Sequence, residues 1–82
     1  MFKFQKSSCY ETGRAIEKGV LLIALEEGKD VGLTHGRIYQ AVSNQGENTF
    51  HDCVFVINDN GEKQDFSVEY FAFYEGETLK SQ

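Results

Sequence analysis

Eight glycines and no proline punctuate this chain of 82 residues, and their positions limit what it can fold into. Gly13, Gly19, Gly28, Gly32, Gly36, Gly46, Gly61 and Gly76 leave intervals mostly shorter than the about 11–12 residues of an average helix. Glycine inside a helix also costs about 1 kcal/mol relative to alanine. The spacing therefore predicts short strands joined by turns.

Hydropathy along the chain agrees. Phe2 and Phe4 alternate with Lys3 and Gln5, as a strand with one apolar face does. Residues 7–18 read either as a loop or as one helical turn around Arg14–Lys18 ended by Gly19. Val20–Leu25 is apolar on both faces, which suits a central strand covered on both sides. Glu26 to Gly32 reads as a loop. Arg37–Val42 alternates, with Ile38, Gln40 and Val42 on one face and Tyr39 and Ala41 on the other. The polar run Ser43–Asn48 ends that strand. His51–Ile57 is the clearest strand, with Cys53, Phe55 and Ile57 opposite Val54 and Val56. Asn60-Gly61 is the turn pair of a hairpin that returns along Glu62–Phe66. Ser67–Tyr70 suits a short helical turn, and Phe71–Tyr74 a last strand. Residues 75–82 read as a frayed tail.

One domain of this length buries only about 60–65% of its unfolded surface. Seven Phe and four Tyr are enough to build its core. Thirteen acids against eight bases give a formal charge of −5, unevenly spread. Residues 1–25 carry four bases against two acids, and residues 26–82 four bases against eleven acids. An acidic chain disfavours nucleic acid and anionic lipid, whose affinity comes from Lys and Arg. Two cysteines are too few for a disulfide framework. The N-terminus has no apolar signal-peptide region, and the longest apolar run is far below a membrane span. These features together predict a cytoplasmic protein with reduced thiols.

Five or six short strands in so short a chain can remove their exposed edges by closing into a small barrel. Leu33-Thr34-His35-Gly36-Arg37-Ile38-Tyr39-Gln40-Ala41-Val42 resembles the L-T-x-G-K-x-Y-x-V segment of short SH3-like barrel proteins common in phage and bacterial genomes. Val56-Ile57-Asn58-Asp59-Asn60-Gly61-Glu62 and Tyr70-Phe71 follow in the order that group shows, and Arg37 stands where Lys is usual. The resemblance covers roughly residues 19–74. It implies a mainly β fold, an SH3-like small barrel of five to six short strands with room for one short helical turn. Residues 1–18 are then an N-terminal extension of strand plus loop, without counterpart in the shortest members. Because some phage proteins of this size disable a host factor, it also implies a phage-encoded inhibitor or modulator acting in the host bacterial cytoplasm.

Catalytic patterns are weak. Cys9, His35, His51 and Cys53 are zinc-ligand types, but they have no zinc spacing, and no cofactor or metal is expected. His51 and Cys53 are the one local nucleophile–base pairing, and Asp52 opposes a thiolate there. Glu26-Glu27 and Asp59 with Glu62 sit in polar turns, where nothing raises a carboxyl pKa. Gly28 to Gly36 lacks the Gly-Lys-Ser/Thr ending of a phosphate loop. The expectation is a non-enzymatic protein-binding module, monomer or homodimer, meeting a protein with a basic surface. Its contact residues are Glu26, Glu27, Asp30, Asp59, Glu62, Asp65, Tyr70 and Tyr74. The alternatives are a self-assembling subunit and a nucleic-acid barrel. The latter would use Lys3, Lys6, Arg14 and Lys18 with Phe2, Phe4 and Tyr10 as stacking platforms.

Overall fold

Ser8 and Glu11 form a capping box that starts the first element. The Glu11 N–H donates to Ser8 Oγ at 3.2 Å, and the Ser8 N–H to Glu11 Oε1 at 2.9 Å. The computed structural model describes residues 7–26 and 31–74. Its single α-helical turn, α1, spans Cys9–Thr12 and ends at Gly13, which has a left-handed φ of 74°. The helical turn expected around Arg14–Lys18 therefore lies earlier in the chain, where both capping signals occur. Gly19 instead sits within a turn in which the Val20 N–H donates to the Glu17 carbonyl.

The rest is mainly β. Five strands follow: β1 Leu21–Ala24, β2 Ile38–Gln40, β3 Cys53–Ile57, β4 Lys63–Ser67 and β5 Phe71–Phe73. β1 lies between β2 and β5 in one antiparallel sheet, and β3 and β4 form a second. Leu22 is opposite both Tyr39 and Phe73, so β1 is central as expected. It is not covered on both sides. Leu22 and Ala24 are buried, whereas Leu21 is 42% exposed and Ile23 half-buried. A three-stranded sheet this small turns only one face to the core.

The bridge Ala41–Val56, with the Val42 N–H on the Phe55 carbonyl, joins the two sheets. Among the described residues no ladder joins β4 to β5, so the sheets do not close on each other. Val54 and Val56 take the inner face of β3, and Phe55 and Ile57 the outer. The hairpin turn is organised by Asn58 rather than by an Asn60-Gly61 pair. Gly61 has φ 82°, but Asn60 is not in the left-handed region. The buried Asn58 accepts the Asn60 and Glu62 N–H groups on Oδ1 and donates from Nδ2 to Gln64 Oε1.

The expected short helical turn is a 3-10 turn over Val68–Tyr70, capped by Ser67 Oγ. It delivers Phe71 to the centre of the core. Tyr39 and Phe66 meet that ring edge-on at centroid distances of 6.3 and 6.2 Å, arrangements worth about 0.5–1.5 kcal/mol each beyond area burial. All of β5 is buried, including Ala72, so the strand does not divide into a core face and an exposed one. Cys9 and Ile16, from the stretch read as an extension, belong to the same core cluster. The strand expected at residues 2–5 and the tail at 75–82 lie outside the described residues.

Candidate functional site

Two of the acids expected to form one contact surface, Asp59 and Asp65, are committed to internal bonds. Asp59 accepts from Tyr39 Oη at 2.5 Å, Thr34 Oγ1 at 2.7 Å and Arg37 Nη1 at 2.9 Å. Its own N–H donates to the Gly32 carbonyl. Asp59 thus pins the β1–β2 connection to the hairpin tip. The Tyr39 hydroxyl first, then Thr34, hold its carboxyl below the ordinary range, and Arg37 adds to this. Burial, with the bond to Asp59, pushes the Tyr39 phenol up.

Glu62 is exposed at that hairpin, and Glu26 is exposed just beyond β1. Tyr70 is near Glu26, since its carbonyl accepts the Leu25 N–H, and its half-buried ring packs edge-on against Phe66. Tyr74 is at the other end of β1, where its N–H donates to the Leu21 carbonyl. Asp65 is half-buried opposite Phe55 and accepts from Thr49 Oγ1 at 2.5 Å. Glu27 and Asp30 lie outside the described residues, as do Lys3, Lys6, Phe2 and Phe4 of the nucleic-acid reading. Of that set, Tyr10, Arg14 and Lys18 are exposed, and the Arg14 guanidinium stacks 4.1 Å above the Phe73 ring.

A second locus is better built. Residues 43–53 connect β2 to β3 through a dense hydrogen-bond lattice. The Gln45 N–H donates to the Ile16 carbonyl at 2.8 Å, and the Ile16 N–H to Gln45 Oε1 at 3.0 Å. Asn44 Oδ1 takes the Lys18 N–H, and Gln45 Nε2 donates to the His51 carbonyl. The Gly46 N–H donates to the Cys53 carbonyl and the Cys53 N–H to the Phe50 carbonyl. Asn48 is at φ 62°, the one non-glycine in the left-handed region among the described residues. This loop presents Phe50, 75% exposed.

Beside the loop is a cleft of about 230 Å³ lined by Cys9, Tyr10, Arg14, Gln45, His51, Asp52 and Val68, with Gly13 and Ala15. Its walls are α1 with the chain after it, the loop, and the 3-10 turn. Tyr10 is 58% exposed at the rim, and Cys9 and Val68 are core residues. No family model, no curated protein and no solved structure matches the chain. The site's chemistry must therefore be read from its own residues.

Burial first, then the charges of Asp52 and Asp65, push the Cys53 thiol up, opposite to what a thiolate needs. Cys9 and His51 both line the cleft, while His35 is exposed in the 34–37 turn. Among the described residues no three His, Cys, Asp or Glu side chains are grouped to hold a metal. Nor is any described helix long and apolar enough to cross a membrane. Phe50 escaped the sequence reading, although a lone aromatic in an otherwise polar stretch could have marked it.

Proposed function

We propose that this chain is a non-catalytic protein-binding module carried on an SH3-like small barrel. The barrel reading is supported by strand order. Consecutive strands neighbour one another from β1 to β4, and β5, entered through a 3-10 turn, comes back to β1. The binding reading is carried by Phe50. A large aromatic held in water contributes nothing to the core, yet the loop around it adopts a left-handed Asn48 and a lattice of backbone bonds. Asn tolerates the left-handed region, and the hydrogen bonds around it fix the conformation of the loop. A preorganised aromatic anchor is what an interface hot spot needs.

The contact surface then centres on Phe50, while the Asp59 carboxylate also bonds Thr34, Arg37 and Tyr39 within the fold. Modulation of a host protein by a phage-encoded chain is the biological setting implied by the resemblance in residues 33–42 and 56–62. Immobilised wild-type chain, exposed to bacterial lysate, is expected to retain a discrete protein that Phe50→Ser retains at least about tenfold less. Equal retention by both chains removes Phe50 from the interface.

A further inference from the structure

The strand β4 pairs with β3 on one side, and among the described residues no strand pairs with its other side. Bonds from the Asn58 N–H to the Glu62 carbonyl and from the Val68 N–H to the Asp52 carbonyl fix the alternation along this hairpin. By that alternation Gln64 and Phe66 turn their backbone groups toward β3, and Lys63 and Asp65 turn theirs outward. Lys63 and Gln64 are exposed and Asp65 is half-buried. Such an edge is a template for a further strand, although a lysine on it ordinarily discourages pairing. The occupant therefore depends on what can face Lys63.

We infer that a second copy of this chain adds its own β4 antiparallel to this edge, with Lys63 of each copy opposite Asp65 of the other. Registers that set outward-facing residues against each other are the ones that form hydrogen bonds. A two-fold pair centred on Asp65 would set carboxylate against carboxylate, and one centred on Lys63 ammonium against ammonium. The pair centred on Gln64 sets Lys63 against Asp65 twice, and each such pair exchanges both N–H and carbonyl bonds. The charges also share a face. Lys63 Nζ lies 5.1 Å from the centroid of Phe55 on the outer side of β3, and Asp65, opposite Phe55, accepts from Thr49. Charge complementarity in register thus selects a second copy of this strand. The inference does not rest on the Phe50 reading, which lysate capture tests separately.

So short an overlap lies at the low end of interface sizes, so the dimer is weak. Two chains of formal charge −5 also repel unless salt screens them. Sedimentation velocity of the full chain in about 0.15 M salt, from about 10 μM to about 1 mM, should show the 9.3 kDa monomer giving way to a dimer. Lys63→Asp sets acid opposite acid and Asp65→Lys base opposite base, so each variant alone should associate at least about tenfold more weakly. Mixed in equal amounts, the two variants restore opposite charges across the edge and should form a mixed dimer. In the wild-type chain, amide hydrogen exchange at Lys63 and Asp65 should slow as concentration rises, while Gln64 and Phe66 stay protected throughout. Thermal melts confirm that each variant is folded. If Asp65→Lys does not fold, because it loses the bond from Thr49, Lys63→Asp and the exchange pattern decide. A chain that stays monomeric, folded variants that dimerise as well as the wild type, folded variants that fail to pair when mixed, or a dimer whose Lys63 and Asp65 amides exchange as fast as the monomer's overturns the inference.

Discussion

Asp59 reads as a surface acid in the sequence, yet Thr34, Arg37 and Tyr39 all donate to it. Those bonds favour the carboxylate, so its folded pKa is below its unfolded one. The stability it contributes is therefore present above the unfolded carboxyl pKa of about 3.9 and lost as pH falls through the lower folded value. Asp59→Asn should lower the thermal midpoint at neutral pH and flatten the midpoint-versus-pH curve below about pH 4. An unchanged acid limb would show that the carboxylate is not the pin. Tyr39 has the opposite sign: its folded pKa is raised, so its contribution is lost as pH rises above about 10. Tyr39→Phe keeps the ring against Phe71 and should remove that alkaline loss, which a melt series between pH 8 and 11 reads directly.

Among the elements, the 43–53 loop is the one whose geometry constrains its sequence most. An alanine Cβ at Gly46 would come within 3.2 Å of the His51 Cα, at a backbone φ of 79°. At Gly13 the same change meets open space, and only the left-handed φ of 74° opposes it. Gly13→Ala should cost about 1 kcal/mol, and Gly46→Ala should cost more because backbone must also move. Urea midpoints of the two variants decide this, and equal costs would mean that the loop yields freely. In the β3–β4 hairpin, Asn58→Ala removes the acceptor for two backbone N–H groups and should destabilise by about 1–3 kcal/mol in the same assay.

For the whole molecule, the question is how few residues form the core. Phe71 is fully buried between Tyr39 and Phe66, and Phe71→Ala should cost about 3–5 kcal/mol. That is a large share of the about 5–15 kcal/mol available to a small domain. Ile16 is just as buried, and its backbone is bonded to Gln45. A chain beginning at Gly19 should therefore lose the cooperative urea transition, since losing the Ile16 side chain alone costs about 2–5 kcal/mol. A full transition retained by that shortened chain would make residues 1–18 a dispensable appendage.

Glycine spacing and period-two hydropathy were sufficient to establish a mainly β chain, the β3–β4 hairpin and the grouping of Tyr39 with Ala41 on one face, because these depend on neighbours within a few residues; which face turns inward was decided by the fold. The same local signals could not tell that Ile16 enters the core, that Asp59 faces three donors 20–25 residues away, or that β1 is covered on one face only. Contacts at such separations depend on where the chain returns. Phe50 marks the boundary between the two. Its hydrophobicity is a property of the residue, but its exposure was decided by hydrogen bonds from Gln45, Gly46 and Thr49 to segments that only the folded chain brings together.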